Sequence, residues 1–210
     1  SNPSVPFIRP ESGVTQAVDG ISCTGFTGGV MMANGGTATV RNCAIYDCGG
    51  TVSSHAVDNC LILNCTGGTG AATDCVFVKV DTSGSITGGN ATDCIFLNCS
   101  AGNVVYGTAT GCTLENCETS GQYGCVKENA EDCTFTNCSS SDRHIVSGDA
   151  TNCTFTNCSS SSSIGYSYIV YGGATNCTFV RCVADRLRYT QSGNDITNCV
   201  IFGCTITTID

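Results

Sequence analysis

The 210-residue chain has no tryptophan, three prolines, two methionines and two histidines. Lysine occurs only at Lys79 and Lys127, and charged residues make up 12% of the chain, about half the usual share. With 8 basic against 17 acidic residues the formal charge is −9. That balance excludes the clustered Lys and Arg that nucleic-acid phosphates or an anionic membrane surface require. Apolar runs are only a few residues long, far short of the ~20 that span a bilayer as a helix. No apolar stripe of period 3.6 is visible, and Glu, Lys and Leu are scarce, so helices are not expected. A Gly-rich phosphate loop with its lysine and a Gly-x-Ser-x-Gly elbow are both missing.

What the chain has in quantity is cysteine, 19 residues, and glycine, 26. The cysteines sit in a repeat, Cys-x-apolar-x-x-Cys. Its copies are Cys43 to Cys48, Cys60 to Cys65, Cys94 to Cys99, Cys112 to Cys117, Cys133 to Cys138, Cys153 to Cys158, Cys177 to Cys182 and Cys199 to Cys204. Cys75 to Val80 keeps the frame with valine in the last slot, and Ile21 to Phe26 keeps it with Cys23 in the middle. Ten copies follow one another, their first slots 15 to 24 residues apart. Three residues before each first slot stands a small or β-branched residue, from Val18 and Val40 through Ala72, Ala91 and Ala150 to Ile196. Gly, Asn or Asp precedes the slot itself, and Asn is common before the second cysteine. A second apolar patch falls mid-repeat, as in Val104-Val105, Ile145-Val146 and Ile169-Val170.

Period-2 alternation places the first slot and the residue two further on along one face of a strand. A corner at the Asn turns the second cysteine inward again, because Asn enters the left-handed region at low cost. A unit of about 20 residues cannot bury its own apolar face, whereas stacked units can. Stacking places like on like: a cysteine column, an apolar column (Ile45, Ile62, Phe77, Phe96, Leu114, Phe135, Phe155, Phe179, Ile201) and a second cysteine column. The expectation is an all-β solenoid of about ten ~20-residue coils, a rod about 48 Å long. Residues 1–17 lack the repeat and hold Pro3, Pro6 and Pro10. They are expected to form an extended N-terminal arm, and 18–210 a single β-helix domain.

These coils resemble a right-handed parallel β-helix of the broad pectate-lyase-like class. The Phe-x-Asn-Cys phrases, as at Phe96, Phe135 and Phe155, and the Gly-Gly phrases are similar to repeats in bacterial polymorphic outer-membrane proteins and archaeal adhesin-like proteins. The resemblance covers roughly residues 18 to 206. It implies a fold and leaves function to be argued from sites.

The cysteines have three readings. As packing, they are small hydrophobes suited to a crowded interior. As disulfides, neighbouring coils would pair; their Cα separation of about 4.8 Å is allowed but their Cβ atoms lie beyond the preferred ~3.8 Å. As metal ligands, they would need to converge, and Cys-x4-Cys straddles an inward Phe or Ile. Cys125 lies outside both columns.

No cofactor and no catalytic constellation are read from the residues, so an enzyme is not expected. His144, beside Asp142 and Arg143, reads as part of a solvated corner, and Asp185, Arg186 and Arg188 as surface charge. Asp74 and Asp93 fall on adjacent coils, where a corner column with neighbouring Asn explains them. Most of the sequons at Asn64, Asn90, Asn98, Asn137, Asn152, Asn157 and Asn176 are by-products of the Asn-Cys-Thr/Ser corner, and in a secreted protein some are candidate glycan acceptors.

The outward slots are more informative. Leu61, Leu63, Val76, Val78, Ile95, Leu97, Val200 and Phe202 form an apolar set on the outside of the rod, which fits an assembly surface. In later coils the same slots become Thr134, Thr136, Thr154 and Thr156. No amphipathic cap follows Cys204, and solenoids normally cap their ends against polymerisation. The sequence therefore points to a secreted, extracellular or cell-surface structural protein, a subunit of a filament or sheath whose partners are copies of itself. Membrane insertion and nucleic acid are not expected. The alternatives are an adhesin or passenger-domain fragment binding glycans or proteins, a carbohydrate-active lyase or hydrolase, and, from the Thr-x-Thr rows, an ice-binding protein.

Overall fold

The computed structural model describes residues 15–27, 37–53, 55–163, 165–187 and 195–208. Every regular element among them is a short strand, and the strands of successive windings pair in parallel. The chain is a parallel β-solenoid with three faces. The first face is a ten-stranded sheet running from Thr15–Asp19 to Ile196–Thr197. The second is another ten-stranded sheet, from Ser22–Thr24 to Val200–Phe202. The third is a nine-stranded sheet, eight strands in one path and Thr205–Thr208 pairing Val183–Arg186 beside it.

The ten copies of the repeat are the ten rungs of the second face. About eight turns are closed by pairing on all sides, fewer than the ten coils expected. Among the described residues the rungs opening at Cys60 and Cys43, 15 and 17 residues long, carry no strand on the third side. Among the described residues the first strand of that side is Asp81–Thr87, above which Thr69 makes an isolated bridge to Thr87. Residues 1–14 of the expected arm lie outside the described residues, while Thr15–Ala17 already pair with Thr37–Thr39.

Two left-handed corners bend each rung. The first precedes the first slot, at Asn42, Asn59, Asp74, Asp93, Asp132, Asn152, Asn176 and Asn198, with glycine at Gly20 and Gly111. The second precedes the second slot, at Asp47, Asn64, Asn98, Asn116, Asn137 and Asn157, with Gly25 and Gly203 at the two ends. Lys79 and Arg181 take the same conformation where Asn would be expected. The corner side chains then bind rung to rung. Asn116 Nδ2 donates to Asn98 Oδ1 (3.1 Å), Asn137 to Asn116 (3.0 Å) and Asn157 to Asn137 (3.1 Å). A second amide ladder runs from Asp132 through Asn152 to Asn176.

Inside, like stacks on like. The alanine column Ala72, Ala91, Ala109, Ala130, Ala150 and Ala174 is buried and in register. Phe77 and Phe96 stack face to face with centroids 4.8 Å apart; Phe135 and Phe155 are 4.7 Å apart, and Phe155 and Phe179 5.0 Å. Each of these rings is fully buried, worth about 1.5–3 kcal/mol apiece in apolar burial. The mid-repeat patches form the core of the third side, with Ile86, Val104, Ile145 and Ile169 inaccessible to solvent.

Candidate functional site

Seventeen of the cysteines occupy the interior as two columns, the second interrupted at Val80; Cys23 stands in the apolar column beside Ile45. Cys43, Cys60, Cys75, Cys94, Cys112, Cys133, Cys153 and Cys177 are buried in the first, which ends at the half-buried Cys199. The second holds Cys48 and Cys65, then Val80, then Cys99, Cys117, Cys138, Cys158 and Cys182, and ends at half-buried Cys204. All are free thiols. The inward strand position leaves each Sγ beside the carbonyl two residues back: Cys75 donates to Thr73 O at 3.0 Å and Cys133 to Glu131 O at 3.1 Å. Many thiols also reach a carbonyl of the preceding rung, as Cys158 does at Phe135 O (3.5 Å). Successive cysteines of a column also touch: Cys60 N–H donates to Cys75 Sγ and Cys112 N–H to Cys133 Sγ, each at 3.4 Å, and Cys182 N–H to Cys204 Sγ at 3.3 Å.

Burial pushes the Cys65 thiol up to about 11. Hydrogen bonds from Cys133 and then Cys94 pull Cys112 down, whereas those with Cys112 and then Cys153 push Cys133 up. Among the described residues no three Cys, His, Asp or Glu side chains are placed to hold one metal ion.

Cys125 belongs to the third side. Its neighbour Val126 bridges Val105 and Val146, so Cys125 takes the rung position of Val104 and Ile145. Its own thiol is pushed up by a hydrogen bond with Cys138 and by complete burial. The Cys-Val pair replaces the apolar pair of the neighbouring repeats, a signal the sequence contained.

His144 is not the solvated corner residue expected. It lies in the strand His144–Val146, only 6% exposed, with its ring 4.6 Å from that of Tyr171 and 5.5 Å from that of Tyr168. Corner chemistry ends at Arg143 (φ 92°), and the mid-repeat strand begins one residue earlier than its apolar pair suggests. Burial, and secondarily Arg143, pull the His144 imidazole down to about 4. Its Nδ1 is buried without a hydrogen-bond partner. Gly124 makes room for this strand: a side chain there would collide with His144 O, and its φ of +69° favours glycine. Asp185 accepts from both the backbone and hydroxyl of Ser167 at 3.0 Å, and Arg186 lies over the Tyr166 ring at 3.9 Å. Arg188 lies outside the described residues.

The outer side of the second face carries the expected apolar set in register. Leu61, Val76 and Ile95 form one column and Leu63, Val78 and Leu97 the next. Five of the six are half-buried by their neighbours, and Ile95 is 39% exposed. Val200 and Phe202 stand apart on the tenth rung, 59% and 65% exposed. Between the two patches lie Thr134, Thr136, Thr154 and Thr156, again in register. On the third face a hydroxyl-lined groove of about 400 Å³ includes Glu118, Thr119, Ser139, Ser140, Ser159 and Ser160. A second trough, about 570 Å³, runs past Gly67, Gly68 and Gly84 to the exposed Tyr106, whose ring carries the Lys127 ammonium at 3.5 Å.

No protein-family model matches the chain, and no curated protein matches it. Among solved structures it is similar to trypsin-treated QnrB1, a plasmid-mediated fluoroquinolone resistance protein. The two are 13% identical over 69% of this chain and 83% of that one, with a TM-score of 0.24. So slight a likeness carries nothing further, and what is established is the architecture: a cysteine-rich, all-β parallel solenoid.

Proposed function

We propose that the protein is a structural solenoid that associates with copies of itself, in a secreted filament, sheath or cell-surface layer. The observation that carries this reading is the outer face of the rungs opening at Cys60, Cys75 and Cys94. There Leu61, Leu63, Val76, Val78, Ile95 and Leu97 form one contiguous aliphatic patch on the outside of a rod. A side chain fully buried from water contributes about 1.5–3 kcal/mol. Half-buried residues supply a fraction of that, and six together still provide a drive of several kcal/mol before association costs are subtracted. The similarity of the Phe-x-Asn-Cys and Gly-Gly phrases to polymorphic outer-membrane and adhesin-like repeats supports an extracellular setting.

The test replaces Leu61, Val76 and Ile95 together by threonine, the residue that already fills this column at Thr134 and Thr154. The fold is therefore retained. In a concentration series followed by light scattering and sedimentation, the wild-type protein should associate and the triple variant should remain monomeric. A wild-type chain that stays monomeric at high concentration defeats the proposal. A second reading, binding of a glycan, is favoured by the trough that ends at Tyr106; retention of a neutral oligosaccharide by the monomer would support it.

A further inference from the structure

We propose that the two thiol columns are a binding track for a soft monovalent d10 cation, Cu(I) or Ag(I), each ion bridging the sulfurs of successive rungs in linear two-coordination. The argument begins with spacing. The phenyl stacks measure the separation of rungs inside the solenoid as 4.7 to 5.0 Å. That is wide for a disulfide, whose Cβ atoms prefer about 3.8 Å. A cation with a thiolate about 2.3 Å away on either side spans about 4.6 Å, which the rung separation matches.

Geometry and charge then narrow the ion. No three ligand side chains are placed around one point among the described residues, so neither a tetrahedral zinc site nor a cluster site is preformed. Consecutive cysteines along a column do stack, the Sγ of one rung accepting from the backbone N–H of the cysteine in the preceding rung at 3.3 to 3.4 Å. Thiolates select soft cations. An apolar interior also excludes net charge. A monovalent ion meets that condition because it takes the place of the thiol proton: one S–H bond breaks, the thiolate so formed and a lone pair of the neighbouring sulfur each bond the ion, the proton leaves to solvent, and no electron is transferred. A divalent ion would leave a positive charge at every rung. The ends offer an entry, since Cys199 and Cys204 are the two cysteines not fully buried.

The register sets the capacity. The first column is nine cysteines long, Cys43 to Cys199, with eight gaps between neighbours. Val80 divides the second into the pair Cys48 and Cys65, with one gap, and a run of six from Cys99 to Cys204, with five.

The experiment compares two variants with the same number of thiols. One replaces Cys60, Cys94, Cys133 and Cys177 by alanine, leaving five first-column thiols with no neighbours. The other replaces Cys133, Cys153, Cys177 and Cys199, leaving five contiguous thiols with four gaps. Each reduced protein is titrated anaerobically with Cu(I) supplied as its acetonitrile complex, and bound ions are counted by native mass spectrometry. The first variant should lose eight ions relative to the wild type and the second four. Equal losses would mean that thiols bind independently, and would overturn the proposal, as would a wild type that takes up no copper while folded. Circular dichroism without metal checks that both variants fold. Should either not fold, X-ray absorption of copper-loaded wild-type protein decides: two sulfurs per copper support the track, three or four overturn it.

Discussion

Asn137 is the corner at which the causes of the fold can be separated. It holds φ at 51°, donates from Nδ2 to Asn116 Oδ1 at 3.0 Å, and accepts from Asn157 Nδ2 at 3.1 Å. Replacing it by alanine removes both side-chain bonds and forces a Cβ-bearing residue into the left-handed region. That conformation costs an ordinary residue about 1–2 kcal/mol. Two exposed hydrogen bonds at the lower end of their net worth add about 1 kcal/mol, so Asn137→Ala should lose about 2–3 kcal/mol. Asn137→Gly loses the same bonds but not the conformational preference, and glycine already serves this corner at Gly25 and Gly203. Its expected loss is about 1–2 kcal/mol, including the greater freedom of glycine in the unfolded chain. Urea unfolding of the three proteins gives the order Asn, Gly, Ala, with the midpoint moving and the slope unchanged. If alanine proves as stable as glycine, the left-handed corner is not what the Asn supplies, and the account of the winding fails.

Two further outcomes follow from buried groups. With its imidazole held near 4 against the usual 6.5, His144 is neutral in the fold and takes a proton more readily when unfolded. Its contribution is complete above about pH 6.5 and is lost as pH falls toward 4, by about 3 kcal/mol in all. Urea midpoints should fall over that window and His144→Phe should flatten the profile; a wild-type profile already flat there contradicts the burial argument. Phe155 lies between Phe135 and Phe179 in one stack. Phe155→Ala should cost about 3–5 kcal/mol, and Phe155→Leu much less, because Leu114 fills the same column. Equal losses in thermal unfolding would show that the column does not depend on filling that space.

The sequence made the first and second faces legible because both rest on local chemistry repeated at a constant spacing. Asn, Asp and Gly mark the corners, and alternation sorts inward cysteines and phenylalanines from outward leucines and threonines. Stacking then converts each sequence position into a column. Lys79 and Arg181 show the limit of residue type as a guide: both turn left-handed because their rungs above and below already do. The third side was hard to read because its length changes from rung to rung. Cys125 therefore looked like a stray thiol and His144 like a solvated loop residue, although both occupy strand positions of the mid-repeat core. The threonine rows and the aliphatic patch share the same outward slots, so their faces were readable while their half-buried state, set by neighbouring rungs, was not.

From three residues before the first slot to the second cysteine, every rung has the same nine positions, while rung length runs from 15 to 24 residues. All of that variation is taken up on the third side, where the pairing of Ser100–Val105 with Asp81–Thr87 shifts register at Ala101/Asn103. The cost of lengthening a surface connection rises only slowly, by about 0.6 kcal/mol per doubling. The molecule is therefore rigid along two edges and elastic along one. Foreign peptide spliced into the serine-rich stretch around Ser161 would be displayed laterally, with both flanking sheets keeping step beneath it.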